Sequence, residues 1–118
     1  MENKELGNRE LAIKTGEILS AKKADDVIVL DVSEQSSFAD FLVIATLMNE
    51  RQLSALKDET EDQLAKEGII PKNIEGKPPS GWILMDYGDI IINLFLPQQR
   101  ALYQLEKIWS DGEHISIG

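Results

Sequence analysis

The sequence predicts one α/β (α+β) domain: a mixed β-sheet of about five strands with helices packed on it, in the order α-β-β-α-β-β-β-α. Three observations predict it. The apolar residues switch between helical and strand spacing along the chain. The 118 residues can hold one hydrophobic core but not two ordinary domains, which need roughly 100–200 residues each. The connections carry turn chemistry, with no internal repeat, linker or low-complexity stretch. Residues 1–118 therefore read as a single domain, and residues 111–118 as a flexible tail.

Leu11, Ala12, Thr15, Ile18 and Leu19 recur at helical spacing within residues 6–23, an amphipathic helix that Gly16 weakens. Val27-Ile28-Val29-Leu30 is a β-branched run ending near Ser33, and after a turn at Ser36-Ser37 a second strand runs Phe41-Leu42-Val43-Ile44-Ala45-Thr46. Their short connection predicts an antiparallel pair, because a parallel return needs a crossover of a dozen or more residues. Asn49 caps a helix to about Lys66, with Leu53, Leu56, Thr60 and Leu64 inward and Glu50, Lys57, Asp58, Glu61 and Asp62 on its other faces.

Residues 69–75 suit a short strand that Pro71 confines to an edge. Pro78-Pro79-Ser80-Gly81 is a loop, after which Trp82–Asp86 and Ile90–Leu96 are strands of a hairpin turning at Asp86-Tyr87-Gly88-Asp89. Pro97 opens a last helix with Leu102, Leu105, Ile108 and Trp109 facing inward.

The formal charge is −9, and it is concentrated centrally: residues 26–68 carry three basic and ten acidic side chains. No basic cluster exceeds Lys22-Lys23, so direct nucleic-acid binding, which needs a counterion-releasing basic face, is not expected. A negative surface steers encounter with basic partners and also aids solubility. The longest uncharged apolar run, Ile90–Pro97, is far short of the roughly 20 residues of a membrane helix. The acidic start Met1-Glu2-Asn3-Lys4-Glu5 lacks the features of a signal or transit peptide, so the expected location is the cytoplasm. There is no cysteine, and the one histidine, His114, falls in the tail as a solvated residue.

Gly-rich phosphate loops, nucleophile elbows and Cys/His metal spacings are all missing from the sequence. Carboxylate pairs remain: Asp86 with Asp89, and Asp31 with Asp40. Such pairs can hold magnesium for nucleotidyl transfer, or can simply end strands and make turns. The turn after the second strand, Thr46-Leu47-Met48-Asn49, has no glycine to approach a phosphate, and no Lys or Arg adjoins either pair in sequence. No catalytic residue, metal ligand or cofactor is assigned, and the chain is read as a non-enzyme.

The hairpin puts Trp82, Leu84 and Asp86 on one strand face and Ile83 and Met85 on the other. An aromatic, an aliphatic and an acid in a row suit a protein-binding hot spot, and equally a core aromatic beside a turn.

This hairpin resembles that of the ribosomal silencing factor (Iojap-like) family. So do Ser37–Thr46, Arg51-Gln52, Glu75-Gly76 and Arg100–Trp109, in order, from about residue 8 to 111. The resemblance implies a nucleotidyltransferase-like fold without its catalytic equipment, and a possible homodimer. It also implies binding to the large ribosomal subunit through its basic interface protein L-fourteen, blocking the small subunit and repressing translation when nutrients are short. The family's partner-contacting hairpin maps onto Trp82, Leu84, Asp86, Tyr87, Gly88 and Asp89, with Asp40, Asn93 and Phe95 as secondary candidates. Two positions depart from the family: Thr46-Leu47 stands for its usual Thr-Gly, and Asn93-Leu94-Phe95 for its His-x-Phe. The competing readings are a magnesium-dependent nucleotidyltransferase-like enzyme and a non-ribosomal adaptor or dimerisation module.

Overall fold

The structure, a computed structural model, describes residues 7–117. Its elements are α1 (Asn8–Ala21), β1 (Asp25–Asp31), β2 (Phe41–Thr46), α2 (Glu50–Lys66), β3 (Asn73–Glu75), β4 (Trp82–Asp86), β5 (Ile90–Phe95), α3 (Pro97–Tyr103), α4 (Leu105–Ile108) and β6 (Glu113–Ile115). A 3₁₀ turn at Pro78–Ser80 precedes β4. The six strands form one mixed sheet in the order β3-β4-β5-β2-β1-β6. Only the central β2–β5 pair is parallel; β1–β2, β4–β5, β3–β4 and β1–β6 are antiparallel.

Alternation along the central strands divides the core into two layers. Phe41, Val43 and Ala45 of β2, Ile90, Ile92 and Leu94 of β5, and Ile83 and Met85 of β4 meet the inner stripes of α1 and α2 in the larger layer. The alternate residues Leu42, Ile44, Ile91 and Phe95 join Leu30 in a smaller layer against Trp82, Leu84, Leu105 and Trp109. Among the described residues that second face is covered by the short α3–α4 segment and by Val32 and Ala39 of the β1–β2 connection.

Local chemistry sets the element ends. Asn49 caps α2 by accepting the Gln52 amide at 2.8 Å, and the expected stripe Leu53, Leu56, Thr60 and Leu64 is buried. β1 stops at Asp31, whose carboxylate turns to accept both the amide (3.0 Å) and the hydroxyl (2.6 Å) of Ser33. These bonds, the hydroxyl's above all, hold that carboxyl below its usual range. Gly16, expected to weaken α1, is a close-packing position: a Cβ there would lie 2.9 Å from Val29 Cγ2 and 3.1 Å from Ile117 Cδ1. Among the described residues no helix is long and apolar enough to cross a membrane.

Two expectations are corrected. The sheet has a sixth strand, because Glu113–Ile115, inside the stretch read as a tail, pairs with Val29–Asp31 on the free edge of β1. Ile115 is thereby buried, while His114 stays exposed. The last helix is also broken. Gln104 adopts the left-handed conformation (φ 45°, ψ 50°) between α3 and α4, which leaves Leu102 and Ile108 about two-thirds exposed, at 69% and 67%. Across the break, the buried Arg100 bonds Thr46 Oγ1 at 2.8 Å and Glu106 Oε2 at 3.2 Å. Backbone strain at such a residue costs about 1–3 kcal/mol. It is offset by those bonds and by the packing of Leu105 and Trp109 on the sheet.

Candidate functional site

β4 crosses the sheet between β3 and β5, so its second-face side chains stand beside those of both neighbours. Trp82 lies opposite Phe95, Leu84 lies between Glu75 and Asn93, and Asp86 lies between Asn73 and Ile91. Trp82, Leu84 and Asp86 are half-buried, while Ile83 and Met85 between them are interior. The strand therefore shows one row outward, as its alternation predicts.

Trp82 is fixed by three neighbours. Its indole N–H donates to Asn93 Oδ1 at 3.0 Å, and its ring packs on Phe95 and Tyr103 with centroids 5.0 and 4.7 Å apart. Such aromatic pairs contribute about 0.5–1.5 kcal/mol each beyond area burial. Asn93 and Phe95, secondary contact candidates on the sequence, are interior at 2% and 0% exposure. They support Trp82 from below, because β5 runs through the middle of the sheet.

The hairpin tip is built by Asp86, whose Oδ1 accepts the Gly88 amide at 2.8 Å, with Gly88 at φ 89°. This is the Asx-turn use of aspartate, and the positive φ is what glycine supplies at no steric cost. Asp89 is exposed and accepts from Asn8 Nδ2 at 3.1 Å. Its carbonyl accepts the amides of Asp40 (2.8 Å) and Phe41 (3.0 Å). Asp40 thus ties the β1–β2 connection to the hairpin through its backbone.

Tyr87 parts company with Trp82. Its ring packs against the larger core layer on the opposite side of the sheet, and its hydroxyl is buried without a hydrogen-bond partner. Burial first, and the Glu61 carboxylate second, push its pKa up to about 12.

Three further residues join the row. Phe38 is 61% exposed, packs edge-on to Trp109 with centroids 5.9 Å apart, and lines a shallow depression with Lys72, Asp86, Gly88, Asp89 and Ile91. Tyr103 and Glu75 border a second cleft with Gly76, Ser80, Trp82 and Leu84. Phe38, Glu75 and Tyr103 all fall inside the motif segments of the sequence, the one signal that could have marked them, but pattern alone gave them no role. Lys72 corrects the expectation that no cation adjoins the acidic hairpin: pairing of β3 with β4 carries it to within 3.2 Å of a Cβ placed on Gly88.

The carboxylates do not converge. Asp31 is engaged by Ser33 and lies 3.9 Å from Arg9, while Asp86 closes its own turn. Among the described residues no group of three or more His, Cys, Asp or Glu is placed to hold a metal ion. Thr46, at the end of β2, is taken by Arg100. Most of α2's acidity lies on the far side of the sheet from Trp82, so the acids beside Trp82 and Leu84 are Asp86 and Glu75.

Residues 5–118 match the model of a protein family described as ribosomal silencing factor during starvation. The chain is similar to the ribosomal silencing factor of Halalkalibacterium halodurans, with 32% identity over 112 residues covering 95% of this chain and 96% of that relative. It is 34% identical to the chloroplastic protein Iojap of Arabidopsis thaliana, over 90% of this chain and 44% of that longer relative. A crystal structure of a Chromobacterium violaceum protein superposes with a TM-score of 0.84 at 29% identity, covering 96% of this chain and 93% of that one.

Proposed function

This chain belongs to the ribosomal silencing factor family, and from that membership we propose that it docks on the large ribosomal subunit through the second face of its sheet. There it occupies the surface needed for subunit joining and so represses translation. The partner fits a basic interface protein of that subunit, the counterpart of protein L-fourteen. The observation that carries the reading is the row Trp82, Leu84 and Asp86, half-buried, with Trp82 fixed by Asn93 and Phe95. A rigid aromatic beside an aliphatic and an acid has the composition of an interface hot spot.

Rigidity matters because ordering interface side chains costs roughly 0.5–1.5 kcal/mol each on binding. Here the indole is ordered before the partner arrives. Asp86, Gly88 and Asp89 form the tip of the contact, and Tyr87 anchors that tip to the core. The net charge of −9 keeps the chain off RNA phosphates and directs it to a basic protein surface by repulsion as well as attraction.

Co-sedimentation with purified large subunits tests the reading. The wild-type chain pellets with them, and Trp82→Ala, folded by circular dichroism, loses tenfold or more in affinity. Equal binding by the variant would contradict it.

A further inference from the structure

We infer that the cleft between the β3 edge and the aromatic side of Trp82 is a subsite for one arginine side chain of the protein partner. The inference rests on the reading of this sheet face as a docking face, and it names the chemistry that the face selects.

The cleft has a volume of about 260 Å³ and is lined by Glu75, Gly76, Ser80, Trp82, Leu84 and Tyr103. That is below the roughly 300–1,000 Å³ of sites that enclose a small molecule, and suits a single inserted side chain. One wall is aromatic: Trp82 and Tyr103 pack with centroids 4.7 Å apart at an interplanar angle of 41°. Leu84 supplies an apolar surface, and Glu75, its register partner on β3, supplies a carboxylate at the rim.

Of the polar side chains around the cleft, those of Trp82 and Ser80, and one oxygen of Glu75, already have partners, while the Tyr103 hydroxyl belongs to the aromatic wall. The Trp82 N–H goes to Asn93. The Ser80 hydroxyl lies 2.7 Å from the Lys77 carbonyl and holds the 3₁₀ turn. Glu75 Oε2 accepts Asn73 Nδ2 at 2.8 Å, which orients the carboxylate and leaves Oε1 for an incoming donor. No Lys or Arg lines the cleft.

What remains on offer is chiefly π-surface and the free carboxylate oxygen Oε1 of Glu75. A guanidinium satisfies both at once, because it is planar, stacks on aromatic rings, donates to a carboxylate oxygen and sheds water more readily than an ammonium. A lysine would keep the charge contact and forgo most of the stacking. Gly76 completes the geometry. It has φ 92°, and a Cβ there would lie 2.1 Å from the Trp82 carbonyl oxygen, so only glycine lets β3 lie close enough to place Glu75 beside the aromatic wall.

The test uses the whole chain and N-acetyl-argininamide as probe, followed by ¹H–¹⁵N NMR at constant ionic strength. The Trp82 indole resonance is identified by Trp82→Phe, and the Trp109 indole serves as internal control. Expected is a saturable shift of the Trp82 indole and of the Glu75 and Gly76 amides with the Trp109 indole unmoved. The lysine analogue should bind several-fold more weakly, the neutral citrulline analogue should cause no shift, and Glu75→Gln should weaken the arginine probe at least fivefold. No saturable shift up to about 50 mM probe, or equal shifts from arginine and citrulline probes, would overturn the subsite. Large-subunit co-sedimentation is scored separately. Failure there with a positive arginine titration sinks the ribosomal reading and leaves the subsite standing; the converse result sinks the subsite alone.

Discussion

The indole N–H of Trp82 donates to the side-chain oxygen of Asn93, 3.0 Å away on the neighbouring strand. Asn93 is almost completely buried, at 2% exposure, so a neutral amide in the sheet interior sets the orientation of the largest side chain on the candidate docking face. Asn93→Ala removes the acceptor and leaves the indole donor without its partner, which costs about 1–3 kcal/mol. Chemical denaturation should show that loss, and Trp82 fluorescence should report a less ordered indole. Asn93→His, which restores a ring nitrogen able to accept, should recover part of both.

Gly76→Ala meets two obstacles together, a φ of 92° and a Cβ 2.1 Å from the Trp82 carbonyl oxygen. Shifting β3 off β4 is the relief available. The expected loss is roughly 2 kcal/mol or more, at the upper end of what backbone strain and overpacking give separately. Faster amide exchange at Ile74 and Glu75, with β5 unaffected, would locate the damage.

Gly16→Ala pits helix propensity against packing. Alanine gains up to about 1 kcal/mol in a helix interior, but its methyl lies 2.9 Å from Val29 Cγ2 and 3.1 Å from Ile117 Cδ1, and overpacking typically costs 1–3 kcal/mol. Net destabilisation of roughly 0.5–2 kcal/mol is expected in a melting experiment. An increase in stability would show that α1 can slide off β1 at little cost.

Tyr87 carries a pH signature. Its folded pKa, pushed up to about 12, exceeds the ordinary value near 10, so the native state keeps a proton that the unfolded chain releases. The associated stability is fully present below pH 10 and falls as pH rises from about 10 through 12. Two full units would correspond to about 2.7 kcal/mol, which partial exposure of the ring discounts to roughly 1 kcal/mol. Tyr87→Phe removes an unpartnered buried hydroxyl. It should be neutral or stabilising at pH 7 and should flatten the alkaline limb of a stability–pH curve measured against wild type. Large-subunit binding by this variant should be unchanged, because the lost hydroxyl is buried.

The parts of the fold legible in the sequence are those with a local cause. Asn49 at the start of α2, the alternation Trp82-Ile83-Leu84-Met85-Asp86, and a short edge strand that begins only after Pro71 each have a mechanism within a few residues. What escaped was decided by distant partners. Glu113–Ile115 has no strand signal of its own and becomes β6 because β1 has a free edge. Gln104 carries no breaker residue, and the helix breaks there because Arg100, Glu106, Leu105 and Trp109 are better satisfied on the sheet than along one axis. The same holds at the site. Trp82 and Leu84 could be placed on one face from spacing alone, but the burial of Asn93 and Phe95, the inward turn of Tyr87, and the arrival of Lys72 and Glu75 beside the hairpin depend on strand pairing.

Subunit joining is the decisive assay for docking through the Trp82 face. Isolated large and small ribosomal subunits are mixed with increasing amounts of the chain, and the joined fraction is read by sucrose-gradient sedimentation. The wild-type chain should lower that fraction in a dose-dependent way. Asp62→Asn, an exposed position on α2, should act like wild type, and Trp82→Ala should need at least tenfold more protein. A folded Trp82→Ala that inhibits as well as wild type, or a wild-type chain that leaves joining untouched, would contradict docking through this face.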